Sequence, residues 1–296
     1  MTAPTSPDER RKFVWARVYQ DLIRHAMPDS RFHYDFLSFT PDFRGSAAAM
    51  DRVCGLPCYR NARTLLITSD NSLERLRFQA LRDGKKVLVG TYRLRRGFVL
   101  LDPARMAKED FGMAACLDGM EKPGMGRALS LVQLRDEGVK IDMCATGGLV
   151  FNERGVTLYE GSALFEVQWA LLQDIKVLGV SARVVGVAHS CQVVDEGSKT
   201  SKAGAVQCDF VVTPAKVYAV EAAVKPSTGV DFDAVDAEAL DTVPPLQELK
   251  GIRTMEHIMA KGGFSAGGGG DAGQPTAPTA EEQMGMDMVA RLMGGL

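Results

Sequence analysis

The spacing of apolar residues changes along this chain and predicts where its helices and strands lie. Val14, Val18, Leu22 and Ile23 recur at helical spacing after Pro7, which predicts a long first helix. From Ala62 onward, short apolar runs alternate with helical stripes. The runs that predict strands span residues 64–68, 85–92, 141–148, 184–189, 208–214 and 216–220. The stretch from Ala163 to Leu172 and the stripe of Leu73, Leu76, Ala80 and Leu81 predict helices between them.

This alternation predicts an α/β protein with three layers, α/β/α, and a mostly parallel sheet. Local signals refine the helix starts. Ser46 is expected to cap a helix at the following alanines. Asn71 and Glu74 have the spacing of a capping box, and Gly84 is expected to end that helix.

The composition divides the chain into four parts. Residues 1–242 are expected to form the α/β domain, and residues 243–263 a C-terminal helical segment. Residues 264–280 are Gly/Pro-rich and predict a flexible linker. Residues 281–296 form a short amphipathic, Met-rich tail, with Met284, Met288 and Leu292 on one line. This tail predicts either docking to a protein partner or a disordered end of marginal helicity.

Charge and cysteine usage narrow the environment and the partners. A formal net charge of -2 argues against nucleic acid as a partner, as does a tail that is not basic and has no aromatic RNA-binding strand. The chain has no apolar run of membrane-spanning length, so a cytoplasmic protein without a membrane partner is expected. The six cysteines are scattered, and the spacing of Cys54 and Cys58 is not that of common zinc or redox motifs. Free thiols and no metal site are expected.

Several chemically informative residues follow predicted strands. Parallel sheets bind ligands at the carboxyl ends of their strands, so such residues converge at one edge. The residues at these ends are Arg93, Arg95 and Arg96, then Thr146, Gly147 and Gly148, then His189, and finally Thr213 and Pro214. Arginines facing glycine turns predict a pocket for a phosphate or a carboxylate.

The stretch from Gly155 to Leu172 reads as a turn, a loop containing Gly161 and a helix. A helix that begins after such a loop presents backbone N–H groups to an anion. The first helix adds positive charge through Arg10, Arg11, Lys12 and Arg17.

Together these features resemble the 5-formyltetrahydrofolate cyclo-ligase family, and most closely its divergent methenyltetrahydrofolate-synthetase-domain branch. The resemblance is carried by Val14-Trp15, Pro41-Asp42-Phe43 with Gly45-Ser46, and the runs 69–77, 91–98, 141–172 and 189–195. It implies the fold shared with sugar-phosphate isomerases and CoA transferases. It also implies a one-carbon-metabolism ligase that uses ATP and Mg²⁺ to convert 5-formyltetrahydrofolate into 5,10-methenyltetrahydrofolate. Such a phosphoryl transfer depends on positioning and on positive charge around the phosphates.

The resemblance implies that a loop of the form R-L-G-x-G-x-G and basic residues on the first helix hold the triphosphate. Here Thr157 stands at the arginine, Tyr159 at the first glycine and Ala163 at the third, while Gly161 remains. Glu160 stands where the divergent branch has lysine. A carboxylate about 4 Å from a phosphate charge costs about 4 kcal/mol at an effective dielectric constant near 20. ATP and Mg²⁺ are therefore implied by the family and opposed by this loop.

These observations predict a cyclo-ligase-like protein with a pocket for a small anion (folate, nucleotide or phosphate) and weak or absent ATP-dependent cyclo-ligase activity. The expected cofactor-binding residues are Arg11, Lys12, Arg93, Arg95, Arg96, Gly147, Gly148 and Gly161. The catalytic residues are unknown, with His189 and Arg96 as weak candidates. One alternative is an active cyclo-ligase in which the arginines replace the loop. The other is a non-catalytic assembly protein that uses its C-terminal helix.

Overall fold

The computed structural model describes residues 7–159, 161, 163–195 and 205–260, with the side chains of residues 7–11 left out. Within these residues an eight-stranded sheet has the order β11-β10-β8-β5-β1-β2-β3-β4. Its strands are β1 (Thr64–Ile67), β2 (Lys86–Gly90), β3 (Phe98–Leu101), β4 (Arg127–Leu129), β5 (Ile141–Thr146), β8 (Leu178–Val187), β10 (Phe210–Val212) and β11 (Val217–Ala219). A smaller sheet contains β6 (Val150–Asn152), β7 (Thr157–Tyr159) and β9 (Val193–Val194).

The helices of the described residues lie before, between and after these strands. They are α1 (Pro7–His25), α2 (Ser46–Gly55), α3 (Pro57–Asn61), α4 (Glu74–Arg82), α5 (Phe111–Ala115), α6 (Leu131–Asp136), α7 (Phe165–Asp174), α8 (Ala237–Thr242) and α9 (Pro244–Ala260). Short 3-10 turns follow several strands, among them Asn71–Leu73, Tyr92–Leu94 and Ser190–Gln192.

The strands of the large sheet bury both faces, which gives the three predicted layers. Successive residues of β1 point to opposite sides, with Leu66 in the core under α7 and Leu65 in the core under α4. The first core contains Trp169 and Leu172, and the second contains Leu76 and Met50. The α/β fold with a mostly parallel sheet is therefore confirmed.

The parallel pairing is continuous through β10, β8, β5, β1 and β2, as the strand–helix alternation predicts. The outer strands were not anticipated as antiparallel. β3 pairs with β2, β4 with β3 and β11 with β10 in antiparallel register. The arginine-rich stretch after β2 is consequently a hairpin turn between β2 and β3.

Two of the predicted helix caps are wrong. Gly45 occupies the N-cap of α2 with a φ of 87°, a left-handed conformation that glycine adopts at little cost, and Ser46 is already helical. Residues 71–73 form a 3-10 turn, and α4 begins at Glu74 without a side-chain cap. Gly84, with a φ of 75°, follows the end of α4 as expected.

A covering segment, residues 26–45, crosses the carboxyl edge of the large sheet. Asp29 accepts a hydrogen bond from the Asn71 side chain after β1 at 2.5 Å. The Ser38 carbonyl accepts one from the Tyr92 hydroxyl after β2 at 2.9 Å. The N-terminal helix α1 continues this cover, because Val14, Val18 and Leu22 pack with Val150 and Leu158 of the small sheet.

The helix α9 packs on the same core as α7. Leu246 and Leu249 are buried there, and the Glu248 carboxylate accepts the backbone N–H of Leu131 at 2.7 Å at the start of α6. The predicted linker and the Met-rich tail lie outside the described residues.

Among the described residues, no helix is both long and apolar enough to cross a membrane. All six cysteines lie within these residues and are free, as expected.

Candidate functional site

A buried carboxylate, Asp70, lies at the centre of the carboxyl edge. The Thr68 hydroxyl and the backbone N–H of Gly147 both donate to its Oδ2 atom, the latter at 3.0 Å. Burial raises the pKa of Asp70, while the hydroxyls of Thr68 and Thr40, the Gly147 N–H and the nearby Arg77 charge oppose the rise. A Cβ atom at Gly147 would lie 2.8 Å from the Asp70 carboxyl carbon, so this position requires glycine for close packing.

The Arg77 guanidinium lies beneath this loop and is completely buried. Its Nη1 atom donates to the carbonyls of Thr68 at 2.6 Å and Asp70 at 3.1 Å, and its Nε atom to Ala115 at 2.7 Å. Burial lowers the pKa of Arg77 to about 10, although neighbouring carboxylates oppose this. The arginine therefore fixes the backbone after β1 and compensates the charge of Asp70. Within the described residues its Nη2 atom has no hydrogen-bond partner.

The predicted loop glycine, Gly161, lies against the covering segment. It has a φ of 88°, and a Cβ atom there would lie 2.9 Å from the Thr40 hydroxyl oxygen. That hydroxyl is buried and lies close to the Asp70 carboxylate, whose pKa it helps to lower. Gly161 therefore brings the backbone after β7 close to the buried side chains of Thr40 and Asp70.

Tyr92 and two arginines form the outer part of the edge. The Tyr92 ring stacks on Phe32 of the covering segment, with centroids 5.4 Å apart. The guanidinium carbons of Arg93 and Arg95 lie 5.5 Å and 6.0 Å from the Tyr92 centroid. In the described part of the chain, neither arginine forms an ion pair with a carboxylate. Two cations without a carboxylate partner in the described residues thus lie together at this edge, which suits an anionic ligand.

Arg96 differs from its two neighbours. Its Nε and Nη2 atoms both donate to the Glu121 carboxylate, the second at 2.6 Å. This bidentate pair already satisfies the guanidinium and points to a structural use of Arg96. Its assignment to a ligand or to catalysis stays a prediction.

His189 follows β8, as predicted, and lies beneath α1. Its ring stacks on His25 with centroids 4.2 Å apart, and Phe43 contacts it edge-on at 5.8 Å. Its Nδ1 atom accepts the backbone N–H of Cys191 at 3.3 Å, which places the proton of the neutral ring on Nε2. Burial and then the adjacent His25 lower the pKa of His189. The histidine therefore caps the turn after β8, and a catalytic role stays a prediction.

The end of β7 packs against the first helix and does not form an open loop. The Tyr159 ring stacks on Trp15 of α1, with centroids 5.3 Å apart and an angle of 16° between the planes. Lys12 lies nearly one turn before Trp15 on α1 and is exposed. The first helix and the end of β7, where the altered loop begins, are therefore neighbours. Glu160 and the side chain of Arg11 lie outside the described residues.

The structure brings the predicted residues to one edge but gives several of them other uses. Gly147 donates to Asp70, and a Cβ atom at Gly148 would lie 2.6 Å from the Phe151 ring. Sequence reasoning missed Asp70, Arg77 and Thr40. A signal existed for Arg77, because it occupies a core-facing position four residues after Leu73. Asp70 has no such periodicity.

No group of three or more His, Cys, Asp or Glu residues within the described ranges could hold a metal ion. The predicted absence of a metal site stays a prediction.

Comparison with known proteins gives consistent matches. The chain is 26% identical over 242 residues to the methenyltetrahydrofolate synthase domain-containing protein of Mus musculus, covering 79% of this chain and 63% of that protein. It is 24% identical over 212 residues to the Homo sapiens protein of the same name, covering 71% and 54%. The chain thus spans between 54% and 63% of the length of these two relatives.

Among solved structures, the chain resembles the 5,10-methenyltetrahydrofolate synthetase of Aquifex aeolicus. That match has a TM-score of 0.43 and 16% identity, and it covers 73% of this chain and 95% of the other. The profile of the 5-formyltetrahydrofolate cyclo-ligase family matches residues 20–200, which is more than half of the chain. This chain belongs to the 5-formyltetrahydrofolate cyclo-ligase family.

Proposed function

We propose that this protein is a cyclo-ligase-like binding protein that retains a small-anion pocket and has weak or no ATP-dependent cyclo-ligase activity. The anion is a folate, a nucleotide or another phosphorylated compound. The observation that carries the proposal is the stacking of Tyr159 on Trp15, where the family pattern has a glycine.

A glycine at this position lets the backbone approach a phosphate closely. Here an aromatic ring fills the space between β7 and α1 instead. Position 157 carries a threonine and position 160 a glutamate, so the family's arginine and lysine are both absent from the loop. Removing two cations and adding one carboxylate makes the loop's formal charge more negative by three, which opposes triphosphate binding.

These residues do not fit a triphosphate cradle. Lys12 lies three residues before Trp15 on the same helix, so the first helix still contributes positive charge on this side of the molecule. Retained anion binding is supported instead at the outer edge, where Arg93 and Arg95 lie beside the Tyr92 ring and form no ion pair with a carboxylate of the described residues.

A turnover assay tests the proposed loss of activity. Purified protein is incubated with ATP, Mg²⁺ and 5-formyltetrahydrofolate, and the methenyl product is followed by absorbance. The expected result is a rate close to that without enzyme. Efficient product formation would overturn the proposal.

Restoring the loop gives a sharper test. The variant T157R/Y159G/E160K/A163G re-creates the divergent branch's arginine, glycines and lysine. Product formation is expected to rise at least about tenfold, equivalent to about 1.4 kcal/mol in the barrier. Circular dichroism must first establish that the variant folds. A folded variant with unchanged activity would mean that the loop is not what limits turnover.

Anion binding is tested separately by thermal shift with folates, nucleotides and sugar phosphates, because a ligand that binds only the folded state raises Tm. Arg95→Ala is expected to abolish the shift produced by the best ligand. Arg96→Ala is the matched control, because Glu121 already binds that arginine. Equal losses in both variants, or no shift with any compound, would contradict the assigned pocket.

An active cyclo-ligase is the second candidate, favoured by the two uncompensated arginines beside Tyr92. Under this hypothesis the wild-type protein turns over, and Arg95→Ala or Arg96→Ala abolishes the reaction. Unchanged turnover in both variants would eliminate it.

A further inference from the structure

A cavity of about 570 Å³ lies at the amino edge of the sheet, opposite the candidate site. It lies where β1, β2 and β5 begin and β3 ends, and its walls include Thr64, Lys86, Leu100 and Asp142. Ligand pockets for small molecules commonly have volumes of about 300–1,000 Å³. The cavity is therefore large enough for a phosphorylated metabolite.

Cations outnumber carboxylates around this cavity. Within the described residues the lining cations are Arg63, Lys86, Arg105, Arg127 and Lys140, and the carboxylates are Asp102, Glu137 and Asp142. The formal charge of the lining is thus two units positive. The chain as a whole has a formal net charge of -2, so this local excess is not a general property of the surface.

The carboxylates are already occupied by particular partners. Lys86 and Arg105 lie 3.2 Å and 3.9 Å from Asp102. Arg127 donates two hydrogen bonds to Glu137, at 2.7 Å and 2.5 Å. Three of the five lining cations are therefore paired with two of the three lining carboxylates. The other two cations are Arg63 and Lys140.

Arg63 and Lys140 are the two lining cations whose side chains form no ion pair with a carboxylate of the described residues. The nearby Asp142 carboxylate accepts the backbone N–H groups of Arg63 at 2.7 Å and Thr64 at 3.0 Å, and does not bind the Arg63 side chain. The Lys140 ammonium donates to the Lys176 carbonyl at 2.6 Å and meets no carboxylate within the described residues. A guanidinium and an ammonium with free donors therefore line one cavity.

We infer that this cavity binds a small dianion, a phosphate monoester, with Arg63 and Lys140 as the principal contacts. A dianionic phosphate matches both the charge excess and the donor types, since arginine binds phosphate oxygens bidentately and lysine binds them as a point charge. The cavity also has apolar walls at Leu100 and Val139, which suit the organic part of an ester. This site is separate from the proposed carboxyl-edge pocket and does not depend on it.

Isothermal titration with phenyl phosphate, and in a second arm with inorganic phosphate, tests the inference. Phenyl phosphate is expected to bind more tightly, because the apolar walls contact only the ester. Each of Arg63→Ala and Lys140→Ala is expected to weaken binding about fivefold, which corresponds to about 1 kcal/mol per charge. Lys250→Ala, an exposed lysine on α9, is the charge-matched control and should leave binding unchanged.

The Arg95→Ala variant separates the two sites. It should leave phenyl phosphate binding at the amino edge intact even where it abolishes binding at the carboxyl edge. Loss of phenyl phosphate binding in Arg95→Ala with no effect of Arg63→Ala would overturn the inference, as would the absence of binding at millimolar ligand. Equal affinity for inorganic phosphate would contradict the assigned ester.

Discussion

The backbone N–H of Gly147 donates to the Asp70 carboxylate at 3.0 Å, which joins the loops after the neighbouring strands β5 and β1. Both groups are buried, so the bond is made in an environment where an unpaired partner is costly. The bond fixes the position of the loop after β5 relative to the loop after β1, and both loops form part of the candidate site.

Gly147→Ala is expected to destabilise the protein by about 1–3 kcal/mol, because the added methyl group would overlap Asp70. Urea unfolding measures the change. Gly112→Ala in α5 is the control, since its methyl group would meet nothing within 4 Å. That variant should be neutral or more stable by up to about 1 kcal/mol. Similar losses in both variants would show that the Asp70 contact is unimportant.

Arg77→Met replaces a buried cation with an apolar side chain of similar length. The carbonyls of Thr68, Asp70 and Ala115 then lose their donors and Asp70 its compensating charge, so a loss of about 3–5 kcal/mol is expected. Arg75→Met on the same helix removes only an exposed pair with Asp51 and should cost less than about 1 kcal/mol. Comparable unfolding midpoints for the two variants would refute the assigned role.

The lowered pKa of His189 predicts that the free energy of unfolding depends on pH. Its pKa is lowered by burial and by His25, so the unfolded chain binds the proton more readily than the folded protein. The stability from the neutral ring is complete above the ordinary histidine pKa of about 6.5, and it is lost as the pH falls through the lower folded value. His189→Phe keeps a ring against His25 and should lose less stability between about pH 7.5 and 5.5 than the wild type.

The control for this pH dependence is His257→Gln, a change at an exposed position on α9. It should retain the wild-type slope of unfolding free energy against pH. If His189→Phe retained the wild-type slope of unfolding free energy against pH, His189 would not be the group responsible for the pH dependence.

Leu249→Ala tests whether α9 belongs to the core. Leu249 is 2% exposed, so a loss of about 2–5 kcal/mol is expected from the cavity and the lost burial. Met259→Ala on the same helix truncates a residue that is 66% exposed and should change stability by less than about 0.5 kcal/mol. Thermal and urea unfolding of both variants should agree. A small loss at Leu249 would mean that α9 packs weakly.

The central strands were predictable because β1, β2, β10 and the carboxyl-terminal halves of β5 and β8 are largely buried and are rich in apolar residues. The antiparallel outer strands were missed. Phe98–Leu101 is equally apolar, but its direction is set by the tight turn at Arg93 and Leu94, whose positive φ values no spacing pattern encodes.

The candidate site was only partly predictable for a similar reason. The order of the strands brings Gly147 and the arginines to one edge, and the α/β alternation indicates this. Which arginine remains available depends on Glu121, a residue 25 positions from Arg96, and only the folded chain establishes that contact. Asp70 and Thr40 do not belong to a recognisable motif in the sequence. Their place in the site is known only from their burial and contacts in the folded chain.

The covering segment has a consequence for how the protein is made on the ribosome. Arg52, just after this segment, bonds to the Pro214 carbonyl across 162 positions, and Gly45 packs on the same proline. At about 5–20 residues per second, synthesis takes roughly 10–30 s to reach that proline. During this interval the sheet edge on which the segment packs is incomplete, so the aromatic residues of the segment are exposed. The nascent chain is therefore expected to bind chaperones until β10 has been synthesised.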